Sequence, residues 1–126
     1  ADPKTFLIAE EGYNPYTTIL ITCSDVVKKN PKLVKALVDS VRAGWRLYLD
    51  DPVATNRKMA ELNKSMDLAT FASSAKAQKD LIETAETRKN GLGFMTEKRW
   101  GELARQLKEL KLIDAVPETK AMFTTP

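Results

Sequence analysis

The pentapeptide Gly12-Tyr13-Asn14-Pro15-Tyr16 gathers two phenols, one carboxamide and two residues that bend the backbone. The proline pushes Asn14 to extended geometry and the glycine supplies the turn. Rings with apolar bodies and polar tips, projecting from a short connection, suit a cleft that holds a small organic molecule. The competing reading is a plain turn whose tyrosines pack on neighbouring helices, and composition alone weighs the two equally. Thr17 and Thr18 follow at once and add two hydroxyls to the same stretch.

Other chemistry is tightly restricted. The 126 residues include no histidine, which removes the usual general base, the commonest metal ligand and every imidazole triad. A single cysteine, Cys23, allows no intrachain disulfide and no finger-type zinc site. The carboxylate pairs Glu10-Glu11 and Asp50-Asp51 are sequence neighbours, which rarely face one point, so a solvated surface is the better reading of them. The run Gly91-Leu92-Gly93-Phe94 lacks the preceding strand, the full glycine pattern and the lysine of a phosphate loop. No catalytic residue, metal ligand or cofactor is therefore assigned, and the chain is not read as an enzyme.

Net charge is +3, but Lys and Arg are interleaved with Asp and Glu almost throughout. The densest basic run is Lys28-Lys29, with Lys32 and Lys35 following. That is a solvated helical surface rather than a nucleic-acid footprint, and nucleic acid is not an expected partner. No apolar run reaches the length of a membrane span, and no signal-like stretch is seen.

The elements that must carry the pentapeptide fall into two kinds. Thr5 to Ala9 and Thr17 to Thr22 are short, rich in β-branched residues and bounded by turn formers, which predicts two strands joined by Gly12–Tyr16. From Ser24 onward the apolar period is helical. Ser24 is expected to cap a short helix ending at Asn30, and Pro31 to open a helix through Asp50 with a stripe of Val34, Leu37, Val38, Val41, Trp45 and Tyr48. Gly44 suggests close packing of another backbone there. Further helices are predicted over 52–64, with a stripe of Val53, Met59 and Leu62, over 68–89 with Asp67 as cap and Asn90-Gly91 as a stop signal, and over 97–113 with Thr96 as cap. In the last, Trp100, Leu103, Leu107 and Leu110 form the apolar face, and Lys98, Arg99, Glu102, Arg105 and Lys108 the solvated one. The tail is expected to be irregular, with Met122 and Phe123 available to dock. The expected class is thus α+β and predominantly helical, two short N-terminal strands followed by about five helices. Trp45, Tyr48, Phe71 and Trp100 are read as core.

Read in order, the stretch from Phe6 through Pro52, with Gly12–Tyr16, Asn30-Pro31, Gly44-Trp45, Tyr48-Leu49 and Asp51-Pro52, resembles the C-terminal half of ABC-transporter substrate-binding proteins of the nitrate, sulfonate, taurine and thiamine-precursor type. "GLGFMTEKRW" (91–100) and "AMFTT" (121–125) extend the resemblance. It implies part of a two-lobed type II periplasmic-binding-protein fold, with residues 1–16 as the last strand of the second lobe and the return connection, and 17–126 as the C-terminal part of the first lobe. The chain then looks like half of a binding protein, with partner strands elsewhere.

The function implied is that of a periplasmic, or extracellular and membrane-associated, solute-binding protein that captures a small organic solute and delivers it to an ABC permease. Tyr13, Asn14 and Tyr16 are the expected ligand contacts, with Thr17 and Thr18 beside them. Unpaired, Thr17 to Thr22 would drive homodimer formation or strand exchange. Two alternatives stay open: a thiamine-pyrimidine-synthase-like enzyme, whose family relies on histidine, and a stand-alone helical interaction module.

Overall fold

The computed structural model describes residues 4–125; residues 1–3 and 126, the outermost ends of the two expected ranges, lie outside it. Among the described residues seven α-helices run in order: α1 Ser24–Lys29, α2 Pro31–Asp50, α3 Val53–Leu62, α4 Leu68–Ile82, α5 Ala85–Asn90, α6 Glu97–Glu109 and α7 Thr119–Met122. The chain divides into two compact units. One is formed by the segment ending at Ile21 together with Met95–Thr125, the other by Thr22–Phe94.

No strand is present among the described residues, which corrects the α+β expectation. Within the first predicted strand the chain turns instead into a single 3-10 turn, Ile8–Glu11, closed by Gly12 in the left-handed region at φ 89°. Thr17 to Thr22 is non-helical, and its backbone groups make no hydrogen bond among the described residues. The reason is that β propensity expresses fit to a pleated neighbour, and a strand exists only where a second one completes its ladder. The composition was strand-like; the partner is what these residues lack.

The helical readings stand with adjustments that follow from capping. Pro31 occupies the first turn of α2, where its missing N–H costs nothing. The Asp67 side chain accepts from Thr70 N at 2.7 Å and starts α4. Cys23, not Ser24, precedes α1, and no side chain caps it. The predicted helix over 68–89 is two helices, because Thr84 caps a new start by accepting from Thr87 N at 3.2 Å. Thr87 Oγ1 in turn donates to the Ile82 carbonyl, 2.6 Å away, which tidies the end of α4. Gly91, at φ 94°, closes α5 where the Asn-Gly signal placed a stop.

Burial is shallow. In the Thr22–Phe94 unit the buried apolar side chains are Leu49, Phe71 and Ala75, joined by Asn56 at 2 % exposure. Asn56 tolerates this because Tyr48 Oη donates to its Oδ1 at 2.9 Å. It also shows that α3 turns a different face inward from the one its apolar stripe suggested, since Val53 and Leu62 are exposed. Gly44 has open space where a Cβ would stand, so the expected close backbone approach is absent among the described residues.

In the other unit Ala104 is the buried residue of α6, and Gly101 allows α7 to come near: a Cβ there would meet Thr119 Cγ2 at 3.3 Å. Many large apolar side chains stay in solvent, among them Phe6 at 82 % and Ile21 at 87 %. The accessible surface is 10085 Å². Two separate compact units of these sizes would expose about 8,000 Å² by the scaling of area with mass.

Candidate functional site

The pentapeptide is built onto α6. Along one face of that helix and its cap, Thr96, Arg99 and Gln106 recur at spacings of three and seven, and each reaches the connection. Thr96 N donates to Tyr16 Oη at 2.9 Å, while Thr96 Oγ1 caps the helix by accepting from Arg99 N at 3.2 Å. Gln106 Nε2 donates to the Gly12 carbonyl at 2.9 Å. Arg99 does most: its Nε donates to the Asn14 carbonyl, and its Nη2 donates to both Asn14 Oδ1 and the Pro15 carbonyl, the latter at 2.9 Å. The guanidinium carbon also lies 4.1 Å from the centroid of the Tyr16 ring. A planar, permanently charged fork with five donors can stack and hydrogen-bond at once, which lysine cannot.

Behind this clamp runs an aromatic column. Tyr16 and Trp100 have ring centroids 5.7 Å apart, and Trp100 stacks on Phe123 at 6.0 Å with an interplanar angle of 14°. Phe123 thus docks, as its composition allowed. Trp100 Nε1 is buried with no acceptor among the described residues. A buried donor without a partner is uncommon, and it marks the polar end of an otherwise apolar stack.

The five expected ligand contacts are therefore not equivalent. The oxygens of Asn14 and the hydroxyl and ring of Tyr16 are engaged by α6 and its cap, and Tyr16 is half-buried. Tyr13 is 46 % exposed and makes no hydrogen bond among the described residues. Thr17 and Thr18 are exposed and likewise unbonded among the described residues. The structure brings Asn14, Pro15 and Tyr16 together with Arg99, a residue that the apolar period of the sequence assigns to the solvated face of α6. The signal that could have found it is spacing: Arg99 and Gln106 lie on one side of α6, seven residues apart, and both are donors that a partner rich in carbonyls can use.

The Thr22–Phe94 unit holds two concavities of its own. A groove of about 510 Å³ is lined by Val41, Trp45, Tyr48, Met59, Met66 and Phe71 among others, none of them charged. Trp45 and Tyr48 meet edge to face there, with centroids 5.9 Å apart. A smaller one of about 300 Å³ includes Arg46, Glu83, Thr87 and Arg88. Arg46 pairs with Asp50 at 2.6 Å and with Glu83, whose side chain is only 10 % exposed. Hydrogen bonding to Asp50 and then Glu83 raises the Arg46 pKa, and the Arg46 bond lowers that of Asp50. Arg42 Nε donates to the Leu92 carbonyl at 2.8 Å. Both arginines are thus engaged within the fold.

Among the described residues no cluster of His, Cys, Asp and Glu could hold a metal ion. No described helix is long and apolar enough to cross a membrane. Residues 1–55 match a protein family described as NMT1/THI5 like, a span that contains the whole pentapeptide and α1 and α2. No curated protein and no solved structure matches this chain.

Proposed function

We propose that this chain is the solute-binding part of an ABC importer, capturing a small organic solute and handing it to a membrane permease on the outer side of the cytoplasmic membrane. The NMT1/THI5-like family covers ABC substrate-binding proteins and thiamine-synthase-like members, and the match over residues 1–55 supports the reading at that level. The observation that carries it further is the connection itself. An irregular segment anchored by Thr96, Arg99 and Gln106 holds the Tyr13 ring and the Thr17 and Thr18 hydroxyls in solvent, free to become one wall of a cleft that a further lobe completes. In this reading no bond is made or broken: a further lobe closes on the solute because closure adds contacts. That lobe also covers apolar side chains such as Phe6, Leu20 and Ile21.

The test is thermal unfolding in the presence of taurine, an alkanesulfonate, nitrate or a hydroxymethylpyrimidine, each in excess. A ligand at one hundred times its Kd stabilises the native state by about 2.7 kcal/mol, a plain rise in Tm. A rise with one of them, and its unchanged recovery, supports binding without turnover. Chemical conversion of the added compound would favour the synthase-like alternative. No rise with any of them counts against the solute reading and leaves the stand-alone helical module.

A further inference from the structure

We propose that Arg99 is the positioning residue of the Gly12–Tyr16 connection, and that by engaging the two oxygens of Asn14 and covering the Tyr16 ring it leaves Tyr13 as the one ring of the segment that a solute meets. The inference rests on the solute-binding reading for the word solute; the positioning itself rests on geometry alone.

Arg99 satisfies three acceptors from two consecutive residues, the Asn14 carbonyl, Asn14 Oδ1 and the Pro15 carbonyl, while its guanidinium covers the Tyr16 ring at 4.1 Å. The carbonyls of an Asn-Pro turn would otherwise be solvated, and the turn would sample other geometries. Tyr16 is held at its far end as well, because its hydroxyl accepts from the first backbone N–H of the α6 cap. The Asn14 carboxamide oxygen, which from sequence alone looks ready to bind a ligand, is therefore an acceptor already engaged. Tyr13 sits between the left-handed Gly12 and the clamped Asn14, with both neighbours fixed: Gly12 through Gln106 and Asn14 through Arg99. Its ring is presented by a rigid backbone without being committed itself. With the backbone already held, only the side-chain rotamers of Tyr13 remain to be ordered when its ring stacks on a ligand.

Tyrosine-selective iodination, mapped by peptide mass spectrometry on the full chain, reads this directly, since the sequence has only Tyr13, Tyr16 and Tyr48. In the wild type Tyr13 reacts first, while Tyr16 and the Asn56-bonded Tyr48 are protected. Arg99→Ala raises Tyr16 to the rate of Tyr13 and leaves Tyr48 and the hydrogen exchange of α6 unchanged. Arg99→Lys gives an intermediate rate, because an ammonium can lie over the ring but cannot reach three acceptors in one plane. Equal reaction of Tyr13 and Tyr16 in the wild type overturns the proposal, and so does a Tyr16 that stays protected in Arg99→Ala. Loss of Tyr48 protection in both variants also overturns it, since Arg99 would then be a general stabiliser. If none of the solutes named above protects Tyr13, the solute reading fails while Arg99-dependent protection of Tyr16 still stands, so the two failures are told apart.

Discussion

The guanidinium of Arg99 lies 4.1 Å from the centre of the Tyr16 ring while the same side chain donates to the carbonyl of Pro15, one residue earlier. Arg99, 83 positions from Tyr16 and 84 from Pro15, thus fixes one turn from both its face and its edge. The consequence is that a segment without regular structure is among the best anchored in its unit.

Tyr48 and Asn56 form an isolated polar pair in the Thr22–Phe94 unit. Tyr48→Phe leaves the buried Asn56 oxygen without its donor and is expected to cost about 1–3 kcal/mol, as is Asn56→Ala. The double variant costs clearly less than the sum, because the second change removes the orphan left by the first. Urea unfolding of the four proteins measures this; additive losses would mean the pair is not coupled.

Gly44 stands mid-helix in α2 with open space at its Cβ position. Gly44→Ala is expected to stabilise the protein by roughly 0.5–1 kcal/mol through helix propensity and a less flexible unfolded chain. A lower unfolding midpoint would show that something packs on that face.

The pH dependence has a defined sign. Hydrogen bonding from Thr70, by side chain and then by backbone, lowers the Asp67 pKa below its usual 3.8, and Arg46 does the same for Asp50. A depressed carboxyl contributes stability that is present above the unfolded value and lost as pH falls through the folded one. Thermal stability is therefore expected to be insensitive to these groups at neutral pH and to fall below about pH 4. Asp67→Asn keeps a capping oxygen and removes that residue's share of the acid dependence. An acid transition unchanged by the substitution would contradict the cap assignment.

Ile21 is 87 % exposed within Thr17 to Thr22, whose backbone is unpaired among the described residues. Such a segment is expected to associate with a second copy when nothing else covers it. Sedimentation of the chain should show self-association at micromolar concentration that Ile21→Asp abolishes with helical content intact. A wild type that stays monomeric there would show that the segment is not adhesive.

What the sequence made legible follows from how local each signal is. Pro31, Asp67, Thr96 and Asn90-Gly91 act through bonds within one turn, and all mark real helix ends. The strands were misread because a ladder is not a local property: Thr17 to Thr22 has strand composition and no neighbour. Arg99 was misplaced for a related reason. Its position on α6 is amphipathically polar, and only the return of residues 14–16 to that face turns a solvated charge into a clamp. Asn56 likewise is polar by type and buried only through Tyr48, eight residues away. The pentapeptide could be singled out by composition, but which of its side chains were free depended on α6.

The solute reading is tested most directly by native mass spectrometry of the protein purified from cells without refolding, compared with Tyr13→Ala. The account predicts a small organic molecule carried non-covalently by the wild type, released intact on collisional activation, and diminished or absent in Tyr13→Ala with the fold unchanged. A wild type that flies bare and takes up none of the solutes named above, or a bound molecule retained equally by Tyr13→Ala, would contradict it.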